Sequence, residues 1–424
     1  MLRIVSRDTI AASMPTTMTR VPKVSVALIL AGLFLVATAG SAFASRNYVV
    51  ANNNTSPTNT VSVYELSGTT LESSLVSVVN LATGGAGTGA GFPANVALAV
   101  LDRNYPVGYC VFAGDAGSGD ISAMKPINTS PYLQLVGNYR TPEGDEASAG
   151  GLGLVIFNTS ELLGNYTGNG SNVLPALGFW DVNVGCKLDT IAHLPAAGLN
   201  GGPIDSMAVA PNQRYLIVAY TDGSVGSYGI FNIGLIGQEM IAGSGVGSGA
   251  YAGSVAVSHD GKWAIFGDSS ASNTTQLDVA SIGSNGVLGP TTTYGGDGSL
   301  GSGLNSTSIA LSPDNQFIYV VDSGSGQVTT LSFDTATGIV TYPNNCLTDL
   351  KGYNASWATA SQVDVMGDAG TGQGLYVSEG FLTGDSYIAL LEVNSTTGCT
   401  TELPRSPFVD SNGGSLQSIA TFTY

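Results

Sequence analysis

This sequence carries few charged residues, and positive charge is the scarcest. Only 10% of the 424 residues are charged, with 13 Lys and Arg against 30 Asp and Glu, which gives a formal net charge of −17. Ordinary globular proteins reach about 25% charged residues, so long solvated helices are not expected. Nucleic acid is not expected as a partner, because phosphate binding requires clustered Lys and Arg side chains.

Histidine is nearly absent, and so are the usual motifs of nucleophilic and zinc chemistry. The two histidines are His193, in a predicted outer strand, and His259, in a predicted turn, and we interpret both as structural. A Ser-His-Asp triad needs a histidine within reach of its nucleophile, and the sequence has no Gly-x-Ser-x-Gly elbow. Its cysteines form no Cys-x-x-Cys pair and match no zinc-ligand spacing.

Long apolar runs are confined to the N-terminal part. Arg20 and Lys23 precede an apolar run, and Ala42-Phe43-Ala44 then offers the small-x-small pattern of a cleavage site. This order predicts a signal peptide over residues 1–44 and one secreted domain, periplasmic or extracellular, over residues 45–424. The alternative is an uncleaved anchor, because the 22 residues from Val24 to Ser45 carry no charge and could span a bilayer. After cleavage we expect no membrane attachment.

Glycine, by contrast, is abundant at 58 residues, and it punctuates an internal repeat. Residues 306–338 read STSIALSPDNQFIYVVDSGSGQVTTLSFDTATG, and residues 254–280 and 206–230 follow the same order. Each copy has a short apolar strand, a polar turn, a second apolar strand and then an alternating strand. Short runs rich in Val, Ile, Tyr and Thr between turn residues predict β-strands.

The spacing of these copies predicts a β-propeller. The turns that anchor them are 48 residues apart (Ala210 to Ser258) and then 54 (Ser258 to Ser312). Four-stranded repeats of about 40–50 residues are typical of propeller blades, and the chain after residue 45 has room for about seven. This part opens with NYVVANN, a second strand without a first, and closes with SLQSIATFTY, a first strand without a second. We predict an all-β, seven-bladed propeller of four-stranded antiparallel blades, in which the C-terminal strand completes the opening blade and hides two sheet edges.

Three segments carry a family resemblance: SIALSPDNQFIYVVDSGSGQVTTLSFDTATG, NYVVANNNTSPTNTVSVYEL and RSPFVDSNGGSLQSIATF. They resemble the secreted seven-bladed propellers of the lactonase-like group, which includes 6-phosphogluconolactonase-type enzymes and YVTN-repeat proteins. The resemblance covers nearly all of residues 46–424 and implies the fold, whereas a fold alone does not settle function.

The resemblance also implies where an enzyme of this group would bind its substrate. Its enzymes carry an Arg-His pair just before an innermost strand, at the channel mouth, where it binds the phosphate and the lactone. The corresponding tripeptides of this sequence contain neither Arg nor His: they are Ser306-Thr307-Ser308, Ala252-Gly253-Ser254, Ile204-Asp205-Ser206 and Leu416-Gln417-Ser418.

Acidic and polar side chains recur at one face of the predicted propeller. The second strand of a blade ends on the face where the first strand begins. The predicted binding residues there are Asp115, Asp268, Asp322, Glu379, Ser206, Ser254, Ser308, Gln362 and Ser418. Carboxylates in such a ring could hold Ca²⁺, which prefers oxygen ligands, and no other cofactor is expected. The alternative is that each Asp caps its own turn.

An even number of cysteines in an exported chain suggests disulfides. Cys346 and Cys399 occupy matching places before the outer strands of adjacent repeats, while Cys110 and Cys186 fall in adjacent repeats but in unlike strands. We predict the pairs Cys346–Cys399 and Cys110–Cys186.

These patterns predict an exported, monomeric propeller that acts as a non-catalytic binding or structural module, with an extracellular ligand or macromolecule as its partner. Without residues 1–45 the chain keeps 9 basic and 29 acidic residues, and such a field repels anionic substrates. One alternative is a lactone hydrolase of the 6-phosphogluconolactonase-like group, for which Arg103 or Arg140 would have to reach the channel mouth. The other is a Ca²⁺-dependent carbohydrate binder.

Overall fold

The computed structural model contains seven antiparallel β-sheets. It describes residues 47–66, 75–87, 98–100, 110–127, 132–140, 152–157, 160–166, 176–195, 202–230, 246–247, 252–268, 275–295, 299–300, 306–343, 346–353, 358–368, 372–381, 385–410, 416 and 418–423. The predicted signal peptide over residues 1–44 lies outside this part of the chain.

The sheets follow one another along the chain and are numbered here as blades. The opening blade contains β1 (Asn47–Asn52), β2 (Thr60–Leu66) and β3 (Leu75–Ala82). The second blade contains β4 (Leu98–Val100), β5 (Val111–Asp115), β6 (Asp120–Pro126) and β7 (Leu133–Arg140). The third contains β8 (Leu152–Phe157), β9 (Glu161–Tyr166), β10 (Ala176–Asn183) and β11 (Lys187–Pro195). The fourth contains β12 (Ile204–Val209), β13 (Tyr215–Tyr220), β14 (Ser224–Gly229) and β15 (Val246–Gly247).

The remaining blades repeat this order with small additions. The fifth blade contains β16 (Ala252–Val257), β17 (Trp263–Asp268), β18 (Leu277–Ser281) and β19 (Thr292–Tyr294). The sixth contains β20 (Ser306–Leu311), β21 (Phe317–Asp322), β22 (Gln327–Asp334), β23 (Ile339–Thr341) and β24 (Leu347–Asp349). The seventh contains β25 (Ala358–Asp368), β26 (Gly372–Phe381), β27 (Ser386–Val393), β28 (Thr400–Glu402) and β29 (Phe408–Asp410). The last strand is β30 (Ser418–Thr423), and the described residues form no α-helix.

The innermost strands of the blades form a closed ring. They are β4, β8, β12, β16, β20, β25 and β30, each at one end of its sheet. Consecutive members of this set contact each other, and β30 contacts β4. The predicted seven-bladed propeller is therefore confirmed.

The C-terminal strand closes the ring as predicted. β30 pairs antiparallel with β1, with Asn47 opposite Thr423 and Asn52 opposite Ser418. The sheet order β3-β2-β1-β30 makes it the inner strand of the opening blade. β1 is therefore paired on both sides, with β2 and with β30, which removes a site of strand-to-strand aggregation.

Apolar side chains fill the boundaries between neighbouring blades. The second strands β5, β13 and β21 are buried along their whole length, because a blade covers each of their faces. That is why they read as continuous apolar runs rather than as alternating ones. Trp180 of β10, for example, packs against Phe112 and Ile121 of the preceding blade.

Both predicted disulfides are present. Cys110 and Cys186 join the second blade to the third, with their Cα atoms 5.4 Å apart. Cys346 and Cys399 join the sixth blade to the seventh, with a Cα separation of 5.0 Å. Each bond therefore crosses a boundary between blades.

Within the described ranges, no helix combines the length and the apolar character that crossing a membrane would require.

Candidate functional site

The second strands end on the face of the propeller where the inner strands begin, and we call it the acidic face. The strand register places Asn52 opposite Ser418 and Asp322 opposite Ser306. Glu379 lies opposite Ala360 in the same way. The register thus places Asp322, Glu379 and Ser418 at this face, and ligand binding by the predicted residues stays a prediction.

Four inner strands share an irregularity at this face that the sequence analysis missed. Strands β12, β16, β20 and β25 each insert one extra residue opposite the second strand: Asp205, Gly253, Thr307 and Ser361. A β-bulge of this kind bends the strand and redirects side chains. Three of the bulges fall within the tripeptides that replace the Arg-His pair of lactonase-like enzymes. These tripeptides each end in a serine directly before an apolar strand, and this repeated feature of the sequence could have indicated the bulges.

Asp115, at the end of β5, is buried and engaged by protein donors. Its Oδ1 accepts hydrogen bonds from Asn59 Nδ2 at 2.8 Å and from Thr83 Oγ1 at 2.6 Å. Its Oδ2 accepts from Ser122 Oγ at 2.6 Å and, more weakly, from Asn138 Nδ2 at 3.4 Å. Burial raises the pKa of Asp115, and three of these hydrogen bonds oppose that shift. Because Asn59 and Thr83 belong to the opening blade, this carboxylate joins two blades.

Asp322, at the end of β21, repeats the arrangement. Its Oδ2 accepts from Thr329 Oγ1 at 2.7 Å and from Thr275 Oγ1 of the preceding blade at 3.0 Å. Thr329 follows Asp322 by seven positions, and Ser122 follows Asp115 by the same spacing. This acid-to-hydroxyl spacing is visible in the sequence and could have identified both carboxylates as anchors between blades.

Glu379 occupies the equivalent place in β26 but lacks such partners. Its side chain is fully buried, and neither Oε1 nor Oε2 accepts a hydrogen bond from the described residues. The residue seven positions later is Ser386, whose Oγ instead accepts a hydrogen bond from Leu416 N–H at 3.4 Å. Burial, and then the negative charge of Glu402, raises the pKa of Glu379 to about 8. The fold thus leaves a buried carboxyl group unpaired at this position.

Glu402, at the end of β28, is a second buried carboxyl group beside it. Its Oε2 accepts a hydrogen bond from Lys351 N–H at 2.7 Å, while its Oε1 has no partner. The Lys351 ammonium donates to the backbone carbonyls of Glu402 (3.2 Å) and Leu403 (2.7 Å). The next residue, Gly352, faces Glu379. Glu402 was not predicted as a site residue, because it ends an outer strand and the predicted carboxylates all end second strands.

The serines predicted at this face differ in their surroundings. Ser206 Oγ accepts a hydrogen bond from Val255 N–H at 3.1 Å, which links the fourth blade to the fifth. Ser308 is buried. The hydroxyls of Ser254 and Ser418 are buried and have no hydrogen-bond partner within the described part of the chain. Their role in binding stays a prediction.

Other predicted residues fall outside what the structure describes or away from the inner strands. For Asp268 and Gln362 only the backbone, in β17 and β25, is described. Arg103 lies outside the described residues. Arg140 ends β7, the outermost strand of its blade, opposite Asp120. It therefore lies at the rim of the blade rather than beside the channel.

Neither histidine lies in an inner or a second strand. His259 is exposed in the turn between β16 and β17, and its backbone N–H donates to Asn315 Oδ1 at 2.8 Å. His193 lies in β11, the outermost strand of the third blade. Among the residues that the structure describes, no three or more His, Cys, Asp or Glu side chains are grouped so as to share a metal ion.

A pocket of about 520 Å³ lies between the outer strands of the fifth and sixth blades. Its lining consists of Thr293, Tyr294, Gly295, Ser299, Leu300, Val340, Thr341 and Tyr342. The lining carries hydroxyls and two aromatic rings but no charge, a composition compatible with a neutral polar ligand.

Comparison with solved structures finds the same fold in proteins of very different sequence. A periplasmic gluconolactonase from Pseudomonas aeruginosa aligns over 89% of this chain and 99% of its own, with a TM-score of 0.62 and 14% identity. A candidate 6-phosphogluconolactonase from Bacteroides uniformis aligns over 89% and 99%, with a TM-score of 0.60 and 11% identity.

A protein of different description shares the fold to a similar degree. A hypothetical selenium-binding protein from Sulfolobus tokodaii aligns over 89% of this chain and 94% of its own, with a TM-score of 0.59 and 9% identity. No protein-family model and no curated protein sequence matches the chain. The resemblance to lactonase-like propellers is confirmed for the fold, and a fold shared this widely does not assign an activity.

Proposed function

We propose that this chain is an exported β-propeller that acts as a non-catalytic binding or structural module. The observation that carries the proposal is the composition of the seven inner strands, none of which contains Arg, Lys or His. Hydrolysis of a lactone needs a group that moves a proton and a donor or cation that stabilises the developing oxyanion. The inner strands supply no cationic side chain and no histidine for these tasks.

The bonding of Asp115 and Asp322 supports the same proposal. Hydroxyl groups from their own and the preceding blade occupy these carboxylates. A carboxylate held in this way stabilises the boundary between blades, and it is poorly placed to accept a proton from an incoming water.

Two features support a location outside the cytoplasm. Disulfides persist in oxidising compartments, and this chain has two of them. The N-terminal pattern favours cleavage after Ala44. N-terminal sequencing of the protein from its producing cell is expected to begin at Ser45, whereas a protein that retains Val24 would be an anchored one.

A lactonase assay tests the central proposal. The purified protein, once in EDTA and once with added Ca²⁺, is mixed with δ-gluconolactone, its 6-phosphate and neutral γ-lactones, and hydrolysis is followed by proton release. We expect no rate above that of buffer. Hydrolysis that is saturable in substrate and proportional to protein concentration would overturn the proposal.

Lactone hydrolysis is the second candidate, and the specific observation in its favour is the fold shared with a periplasmic gluconolactonase over 89% of the chain. If the assay detects hydrolysis, replacement of Glu379 by Gln separates two explanations. Loss of the activity would tie it to the Glu379 carboxyl group in β26, while retained activity would point to other groups.

A neutral carbohydrate is the third candidate, and the uncharged pocket between the fifth and sixth blades favours it. Aromatic rings and hydroxyls are the groups with which proteins contact sugars. A thermal melt against a sugar panel, once with Ca²⁺ and once in EDTA, and repeated with Tyr342→Ala, tests this idea. A shift in the unfolding temperature that the variant loses would support binding in the pocket, and the absence of any shift would remove the candidate.

A further inference from the structure

The boundary between the sixth and seventh blades contains three buried carboxylate oxygens without a hydrogen-bond donor. They are Glu379 Oε1, Glu379 Oε2 and Glu402 Oε1. Glu379 is 0% exposed and Glu402 is 7% exposed. Buried ionisable groups are normally paired or bound to metal, because an unpaired charge loses its hydration without compensation. Two buried carboxylates close together would be stabilised by a positively charged partner.

One dipeptide of the sixth blade brings the two carboxylates to the same place. Lys351 N–H lies 2.7 Å from Glu402 Oε2. A Cβ on the next residue, Gly352, would lie 3.0 Å from Glu379 Oε2 and 3.1 Å from Oε1. Consecutive residues therefore contact both side chains. The lack of a side chain on Gly352 leaves unfilled a Cβ-sized position beside the Glu379 carboxylate, which Pro407 Cγ also borders at 3.2 Å.

The protein's own nearby cation does not neutralise these groups. The Lys351 ammonium is directed at the backbone carbonyls of Glu402 and Leu403, at 3.2 and 2.7 Å. It thereby fixes the end of β28 and the loop after β24 against each other. The carboxylate oxygens named above stay without any donor from the described residues.

The equivalent carboxylates show that this is a departure from the repeat. Asp115 and Asp322 each receive hydroxyl donors from two blades. At Glu379 the side chain is longer by one methylene, and the preceding blade offers Gly352 in place of a threonine hydroxyl. Glu379 therefore does not join the blades as Asp115 and Asp322 do. Both of its carboxylate oxygens are acceptors without a donor from the described residues.

We propose that Glu379 and Glu402 form a binding site for a hard divalent cation, with Ca²⁺ as its probe, between the sixth and seventh blades. Carboxylate oxygens are the ligands that Ca²⁺ and Mg²⁺ prefer. Ca²⁺ takes six to eight oxygen ligands in flexible geometry, and the two carboxylates would supply part of that shell. The ion neutralises both carboxylates and joins two blades, whether or not the protein is catalytic.

Titration calorimetry and thermal melts on the full chain, stripped with EDTA, test the proposal. We expect one Ca²⁺ site and a rise in Tm of about 3–5 °C at a Ca²⁺ concentration about 100-fold above Kd. Glu379→Gln and Glu402→Gln are expected to abolish both signals. Glu392→Gln removes an exposed carboxylate of the same blade, and we expect it to leave both signals unchanged.

A variant that keeps both charges guards against misfolding. Gly352→Ala fills the position beside Glu379 and is expected to weaken Ca²⁺ binding while the melt in EDTA stays cooperative. The proposal is overturned if Ca²⁺, Mg²⁺ and Mn²⁺ all fail to bind the wild-type chain, which would leave protonation as the way these carboxyl groups are neutralised. It is also overturned if both glutamine variants bind Ca²⁺ as the wild type does. Neither result depends on the lactonase assay.

Discussion

Trp263 and Gly338 meet across the boundary between the fifth and sixth blades. The indole N–H of Trp263 donates to Thr335 O at 2.8 Å, and a Cβ on Gly338 would lie 2.5 Å from the ring. Gly398 covers the ring of Phe317 in the same way one blade further on. The aromatic residue that begins a second strand is thus covered by a glycine turn of the next blade.

This contact predicts that a single methyl group added at Gly338 lowers the stability of the fold. Gly338 has a φ of +76°, and Ala there also meets the Trp263 ring. We expect Gly338→Ala to lower the free energy of unfolding by about 3 kcal/mol, the sum of left-handed strain and overpacking. Gly185→Ala is the matched control, because Gly185 has a φ of +78° but nothing within 4 Å of its Cβ position. It should cost about 1 kcal/mol, and equal losses in urea unfolding would refute the contact.

The Asp115 carboxylate predicts a stability effect rather than a binding effect. Asp115→Ala takes a shared, charged acceptor away from the buried donors on Asn59, Thr83 and Ser122, which keep only neutral acceptors. We expect a loss of about 3 kcal/mol in the free energy of unfolding, measured by urea denaturation. Asp385→Ala removes an exposed carboxylate and should shift the unfolding midpoint little. A similar shift in both variants would mean that Asp115 does not anchor the blades.

Because β30 closes the ring, we predict that cooperative folding requires this C-terminal strand. Deletion of residues 418–424 removes β30 and exposes the inner edge of β1, so we expect aggregation and loss of cooperative unfolding. Removal of Tyr424 alone, beyond the end of β30, should leave both unchanged. Size-exclusion chromatography and circular dichroism distinguish these outcomes, and a monomeric, cooperative truncation would contradict the closure.

The two disulfides predict a defined peptide map. Digestion without reductant should release the peptide pairs Cys110–Cys186 and Cys346–Cys399 and no free thiol. Removal of one bond should lower the free energy of unfolding by about 2–4 kcal/mol. A different connectivity in the mass spectrum, or an unfolding temperature insensitive to dithiothreitol, would count against this arrangement.

Glu161 predicts a pH dependence of stability. Burial, and then the charge of Asp181 on the neighbouring strand, raises its pKa to about 7 from 4.5. The folded state keeps a proton between those values that the unfolded chain has lost, so this group makes the free energy of unfolding fall as pH rises from about 4.5 to about 7. Glu161→Gln should remove that part of the fall.

The control for this pH series is Glu392→Gln, because Glu392 is exposed. Urea denaturation of both variants and of the wild type between pH 4.5 and 8 provides the comparison. If Glu161→Gln and Glu392→Gln show the same pH slope, the raised pKa of Glu161 does not contribute.

The repeat made the fold predictable because each blade restates one pattern. A buried second strand needs an apolar run such as Phe317 to Val321, and the turn before it needs residues such as Pro313 and Asn315. The strand pattern is incomplete near Asn47 and near Tyr424, and each end supplies the strand that the other lacks. Local pattern and overall architecture agree throughout the described blades.

The site was less predictable because its contacts join residues that are distant in sequence. Asp115 depends on Asn59 and Thr83, and Glu402 meets Lys351 only because two blades pack together. The repeated bulges were missed for another reason: an extra residue changes the register without changing the apolar pattern of β12 or β20. Sequence alone identified which face is polar, but not which carboxylates lack donors.

The pairing of β1 with β30 also determines when, during synthesis, the opening blade can be completed. β1 leaves the ribosome before β30, so the opening blade is incomplete and the ring cannot close until β30 has been made. Throughout that interval the inner edge of β1 stays available to other strands, and a holding chaperone that shields it would raise the yield of folded protein. Maturation of this propeller is therefore timed from its C-terminus.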